Sequence, residues 1–204
     1  MTGFVRKALP VAAGLLLVAT SAMAGLPDAS QSTVPPIMTG SCSGTTTADT
    51  YTVVVKDING SPVGGATVTI DLSTASGTSG LSAIADLHAS SIAPTTFDCP
   101  SQTMSQVADG SGVATFEGIF GGAENSASVQ VAANGVPLLL IAVRSTDMNS
   151  SGETELADLN LFRVNFFTNP AAVESDFNQG GTTELADLNI FRVEFFSGVV
   201  VPGC

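Results

Sequence analysis

Thr154-Glu-Leu-Ala-Asp-Leu-Asn-Leu-Phe-Arg-Val-Asn-Phe-Phe167 returns 29 residues later as Thr183-Glu-Leu-Ala-Asp-Leu-Asn-Ile-Phe-Arg-Val-Glu-Phe-Phe196. Twelve of the fourteen positions are identical, so one unit has been duplicated. A polar loop precedes each copy, Asp147-Met-Asn-Ser-Ser-Gly152 and Asp176-Phe-Asn-Gln-Gly-Gly181. Within the copies, apolar residues recur at spacings of three and four. Leu156, Leu159, Phe162 and Phe166 share one face, as do Leu185, Leu188, Phe191 and Phe195. That period predicts amphipathic helices over about 156–168 and 185–197, which would bury those faces against each other.

Both loops fit the twelve-residue register of a calcium-binding loop. Position 1 is Asp147 or Asp176, position 3 Asn149 or Asn178, and position 5 Ser151 or Gly180. Glycine stands at position 6 (Gly152, Gly181), and Glu153 or Thr182 offers its backbone carbonyl at position 7. Glu155 or Glu184 occupies position 9, and Asp158 or Asp187 position 12. Calcium is a hard cation that takes six to eight oxygens, and alternate side chains of a turning loop can supply them. Ser151 is a weak neutral donor and Gly180 has no side chain, so two weak sites are expected, the second weaker, near ~10⁻⁴–10⁻³ M. The plain alternative is a helical hairpin whose acidic loops are solvated turns.

This arrangement resembles a type I dockerin, a duplicated loop–helix module, over about residues 144–200. The resemblance implies two calcium ions held by Asp147, Asn149, Asp158, Asp176, Asn178 and Asp187. It also implies a cohesin-type protein partner, with loop positions 10 and 11 helping to select it. Those positions are Leu156-Ala157 and Leu185-Ala186, the same in both copies. Duplication would allow two binding orientations related by 180°. Leucine at position 10 equally suits the buried helical face, and both readings stand at this stage. Arg163 and Arg192 are read as exposed helix charges that could contact a partner.

The preceding hundred residues read differently. Tyr51 to Val55 and Ala66 to Leu72 are strand-like, separated by the turn Asp57-Ile-Asn-Gly60. Asp109-Gly-Ser-Gly112 is a second such turn, before Val113 to Phe116. Asn134-Gly135 between two apolar runs, Ser126 to Ala132 and Val136 to Arg144, is a hairpin signal. Residues 81–100, with Pro94 and Pro100, are ambiguous. Short strands at this spacing predict an antiparallel β-sandwich. The segments from Tyr51 to Ile70 and from Asp109 to Phe116 resemble bacterial Ig-like domains of the invasin/intimin type, which implies a spacer or stalk without catalytic residues. The expected architecture is therefore an all-β Ig-like sandwich (42–145) followed by a small all-α, EF-hand-like module (146–204).

The N-terminus reads as a secretory signal peptide over residues 1–24. Arg6 and Lys7 precede an apolar stretch, and Ser21-Ala-Met-Ala24 is a small-residue cleavage box. Residues 25–41, with Pro27, Pro35 and Pro36, read as an extended leader. A secreted or cell-surface location follows, without membrane insertion after cleavage. All 18 acidic residues lie beyond residue 24, facing four bases, Lys56, Arg144, Arg163 and Arg192. So acidic a surface repels nucleic acid and favours cations. Export makes a disulfide expected. Cys42–Cys99 is the favoured pairing, because both lie within the first domain, and it would stabilise by about 4 kcal/mol. A pairing through Cys204 stays open.

No nucleophile elbow, HExxH or P-loop is present, and no spacing singles out two carboxylates for acid–base work. His88 has no partner pattern around it, and with no Trp and one Tyr the composition is poor for a sugar platform. The expected function is non-catalytic. It is calcium-dependent attachment to a cohesin-type partner, in the setting of an extracellular polysaccharide-degrading assembly. The alternative is an adhesin or structural surface protein whose repeat is only a calcium-stiffened end piece. A third reading gives the N-terminal domain carbohydrate-binding or enzymatic work.

Overall fold

The computed structural model describes residues 25–41, 50–75, 96–98 and 100–198. The expected signal peptide, Cys42, Cys99, Cys204, His88 and most of the Ser/Thr/Gly loop ending at Gly80 lie outside them. Among the described residues there are eight strands: β1 Ile37–Gly40, β2 Thr50–Val54, β3 Thr67–Asp71, β4 Thr96–Asp98, β5 Thr103–Val107, β6 Val113–Glu117, β7 Ala123–Ala133 and β8 Val136–Ser145. Two α-helices follow, α1 Leu156–Thr168 and α2 Leu185–Ser197.

Alternation explains the strands. In β2, Tyr51 and Val53 are buried and pair with Phe116 and Ala114 of β6, while Thr50 and Thr52 face outward. In β3, Val68 and Ile70 turn inward. A six-stranded sheet, β1-β8-β7-β3-β5-β4, curls into a half-barrel, and the β2-β6 ribbon faces it. The core between them includes Met38, Val53, Val68, Ile70, Met104, Phe116, Phe120, Val131 and Ile141. Asn134 and Gly135 both have positive φ, as a primed two-residue hairpin requires. The two Asp-x-x-Gly turns share one chemistry. Asp57 Oδ1 accepts from the N–H groups of Asn59 and Ser61, and Asp109 Oδ1 from those of Ser111 and Val113. Gly112 closes the second turn at φ +75°, where a Cβ would sit 2.4 Å from the Val55 carbonyl oxygen.

The expected architecture, an all-β sandwich followed by a separate all-α module, is corrected here. The chain is mainly β, and its two helices do not form a free-standing unit. The first loop begins where β8 ends, and Ser145, Thr146, Asp147 and Met148 are all buried. Gly122 N–H donates to the Asp147 carbonyl at 2.6 Å, and Thr39 Oγ1 of β1 donates to the Phe177 carbonyl at 3.2 Å in the second loop. The sheet is not wholly antiparallel either, because β1 runs parallel to β8. β1 comes from the stretch read as a leader, which also bridges at Pro27–Asp57 and Thr33–Val54. Its prolines hide the strand from a periodicity reading. Among the described residues no helix is long and apolar enough to cross a membrane.

Candidate metal centre

The two loops repeat one hydrogen-bond scheme residue for residue. Ser151 N–H donates to Asp147 Oδ1 (3.0 Å) and to Asn149 Oδ1 (2.8 Å), and Gly180 N–H donates to Asp176 Oδ1 (2.8 Å) and Asn178 Oδ1 (2.7 Å). One amide thus gathers the oxygens of positions 1 and 3. The position-6 amides, Gly152 and Gly181, donate to the other carboxylate oxygens of Asp147 and Asp176 at 2.9 and 3.0 Å. Both glycines have positive φ, +91° and +95°, the conformation that makes glycine the favoured residue there.

The position-12 carboxylates close each loop from the helix. Asp158 accepts from the N–H groups of Asn149 (2.9 Å) and Glu155 (2.8 Å), and Asp187 from those of Asn178 and Glu184, both at 2.8 Å. Each therefore also caps the first turn of its helix, where a negative charge is favoured. At position 9, Glu155 Oε1 accepts from Asn149 Nδ2 at 3.4 Å and Glu184 Oε1 from Asn178 Nδ2 at 3.2 Å. These glutamates hold the asparagine amides so that the Oδ1 atoms stay with the loop. Buried hydroxyl pairs, Thr146–Thr154 at 3.1 Å and Ser175–Thr183 at 2.9 Å, tie the base of each loop.

Burial pushes the Asp158 carboxyl up to about 6, with repulsion from Asp147 adding to it and the loop amides opposing it. Burial raises Asp187 in the same way, with repulsion from Asp176 and Glu184. For Asp158 the fold disfavours the ionised form, so the protonated carboxyl's stabilising effect is complete below the unfolded value near 4 and is lost as pH rises through about 6. A nearby cation reverses that balance. The donors are carboxylate, amide and carbonyl oxygens, which fit a hard cation such as calcium and not a thiol-seeking metal. Among the described residues no group of three or more His, Cys, Asp and Glu side chains is placed to hold a metal ion. Each loop instead combines two aspartates with an asparagine.

The other site expectations divide. Ser151 Oγ donates to the Glu153 carbonyl at 3.2 Å, so it braces the loop at positions 5 and 7. Glu153 is half-buried, Thr182 and Gly180 are exposed, and Gly180 offers no side chain. Leu156 and Leu185, expected on the packed face, are 63% and 66% exposed. They are the first residues of their helices, and packing is centred further along, on Phe162 and Phe191 with ring centroids 5.6 Å apart. Ala157, Ala186, Arg163 and Arg192 are exposed as well. Neither a protein-family model nor a curated protein nor a solved structure matches the chain.

Sequence reasoning missed four residues. Met148 and Phe177, both at loop position 2, are buried in the helix core, and their shared offset was the available signal. Gly121 lets the first loop approach the sheet, since a Cβ there would lie 2.5 Å from Asp147 Oδ2 and 2.9 Å from Ser150 Cα. Arg144, at the end of β8, reaches the second loop. Gly121→Ala is expected to cost about 1–3 kcal/mol through overpacking and to displace Asp147. Urea unfolding beside a calcium titration checks it; unchanged stability and affinity would mean that the loop yields freely there.

Proposed function

We propose that the chain is a secreted, non-catalytic attachment protein whose duplicated loops each bind calcium and whose helices present an apolar face to a protein partner. The carrying observation is the repeated loop scheme, in which one amide bonds the oxygens of positions 1 and 3 and the position-12 carboxylate accepts from the position-3 amide, alike in both loops. Calcium bound there would neutralise buried carboxylates and hold each helix N-terminus in place. Exposed apolar residues also come in repeat-related pairs: Leu156 with Leu185, Val164 with Val193, Phe167 with Phe196. Such duplicated patches suit a partner that recognises either copy. The resemblance to type I dockerins makes that partner a cohesin-type domain at the cell surface or in an extracellular polysaccharide-degrading assembly.

One observation favours the second reading, a structural surface protein with a calcium-stiffened end. The loops are bonded to the sheet through Thr39, Gly122 and Arg144, which ties the repeat to the β-structure. Binding of immobilised cohesin-type domains, with and without chelator, separates the two. Attachment predicts calcium-dependent capture, weakened at least tenfold when Leu156 and Leu185 are both changed to Asp, by analogy with central interface residues. Absence of capture by all such domains, with calcium binding intact, would leave the structural reading.

A further inference from the structure

The second loop carries a cation of its own. Arg144 is 1% exposed, and its Nη1 donates to the carbonyls of Val173 (2.6 Å) and Asp176 and lies 3.4 Å from Asp176 Oδ2. Nε and Nη2 are buried with no hydrogen-bond partner among the described residues. A guanidinium is taken out of water only where carboxylates and carbonyls compensate it, and here the compensation comes from the second loop. Asp187 and Glu174 act on it as well as Asp176, so the charge lies in the field of both end carboxylates of that loop. The repeat supplies no such residue to the first loop from the matching position. Arg144 stands three residues before Asp147, and the residue three before Asp176 is the exposed Val173.

Resting on the calcium reading above, we infer that Arg144 is a built-in counter-charge of the second loop, which makes that loop bind divalent cation more weakly than the first and so makes the two sites fill in order. The guanidinium meets the carboxylate oxygen that also accepts from Gly181, while Oδ1 stays with Asn178 Oδ1 on the Gly180 amide. It therefore competes with a cation electrostatically and leaves the donor atoms in place. It also carries the sheet's end into the second loop, holding that loop's start before any metal arrives.

The loops differ in their own sequences too, at positions 2, 4, 5 and 7: Met148, Ser150, Ser151 and Glu153 against Phe177, Gln179, Gly180 and Thr182. The test separates surroundings from sequence. In the full chain, the amide signals of Gly152 and Gly181 are followed by heteronuclear NMR during titration with calcium alone. The variants are the double substitution Gly180→Ser with Thr182→Glu, and Arg144→Gln. Gly152 is expected to saturate first in the natural chain. The double variant should keep a gap on the order of tenfold between the two midpoints, the effect of one charge at a partly buried site. Arg144→Gln should narrow the natural chain's gap by moving the Gly181 midpoint to lower calcium. Coincident midpoints in the double variant would overturn the inference, as would an unmoved Gly181 midpoint in folded Arg144→Gln. If Arg144→Gln does not fold, the double variant decides alone. No response at either glycine up to ~10 mM calcium, above the weakest expected affinity, would overturn the calcium reading itself and the inference with it.

Discussion

Chelating calcium from the full chain is expected to lower its melting temperature by roughly 3–10 °C for each site emptied from ~10 mM calcium, more for the first. A ligand at about ten to a hundred times its dissociation constant stabilises the folded state by about 1.4–2.7 kcal/mol. In a chain of this size each kcal/mol is worth about 2–4 °C. The fold extends that effect beyond the helices, because both loops are bonded to the sheet, the first at Gly122 and the second through Thr39 and Arg144. One cooperative transition that moves with calcium is therefore expected, not a helical step ahead of a fixed β-sheet step. Asp147→Ala and Asp176→Ala should each remove one site's share of the gain, the first variant more. Calorimetry in calcium and in chelator measures this directly. A melting temperature indifferent to ~10 mM calcium would mean that the loops are solvated acidic turns. Two transitions, with only one sensitive to calcium, would mean that the repeat unfolds independently of the sheet.

The local elements of the repeat were legible because their determinants are local. Spacings of three and four placed the helices over Leu156–Thr168 and Leu185–Ser197, within a residue of the expectation. Asp-x-x-Gly and Asn-Gly marked turns because short acidic side chains bond their own backbone and glycine accepts positive φ. What failed was long-range. No composition shift separates β8 from the first loop, and the spacing within the repeat says nothing of the bonds that tie it to the sheet. The strand β1 was hidden because its partner is the distant β8 and its neighbours are prolines.

The same distinction applies at the site. Positions 1, 3, 6 and 12 could be set out from spacing alone, and the structure brings them together in both loops. Arg144 could not be foreseen, since nothing in the sequence says that a strand end will lie against a loop more than thirty residues further on. Nor could periodicity tell that the leucines at position 10 stand in solvent, because a helical face says which residues align but not where along the helix the neighbour begins.

Phe162→Ala should cost about 3–5 kcal/mol, the range for removing a buried aromatic side chain. Phe162 is the centre of the helix core. Its ring lies 6.0 Å from Phe166, 6.0 Å from Phe177 and 5.6 Å from Phe191, so it joins α1, the second loop and α2 at once. Deleting it leaves a cavity that neighbours from three separate elements would have to fill together, which places the cost at the upper end. Phe191→Ala also loses a stacked partner, Phe195, but Phe191 lacks the direct ring contact with the loop. Its variant should lose comparable stability while keeping more of the second site's calcium affinity. Phe177 sits one residue after Asp176, so any shift of its ring on loss of Phe162 moves the start of that loop. Urea unfolding with a calcium titration of each variant reads both quantities. If both variants lost stability and neither changed affinity, the core would support the helices without positioning the loops, and the metal sites would be shaped by their own backbone bonds.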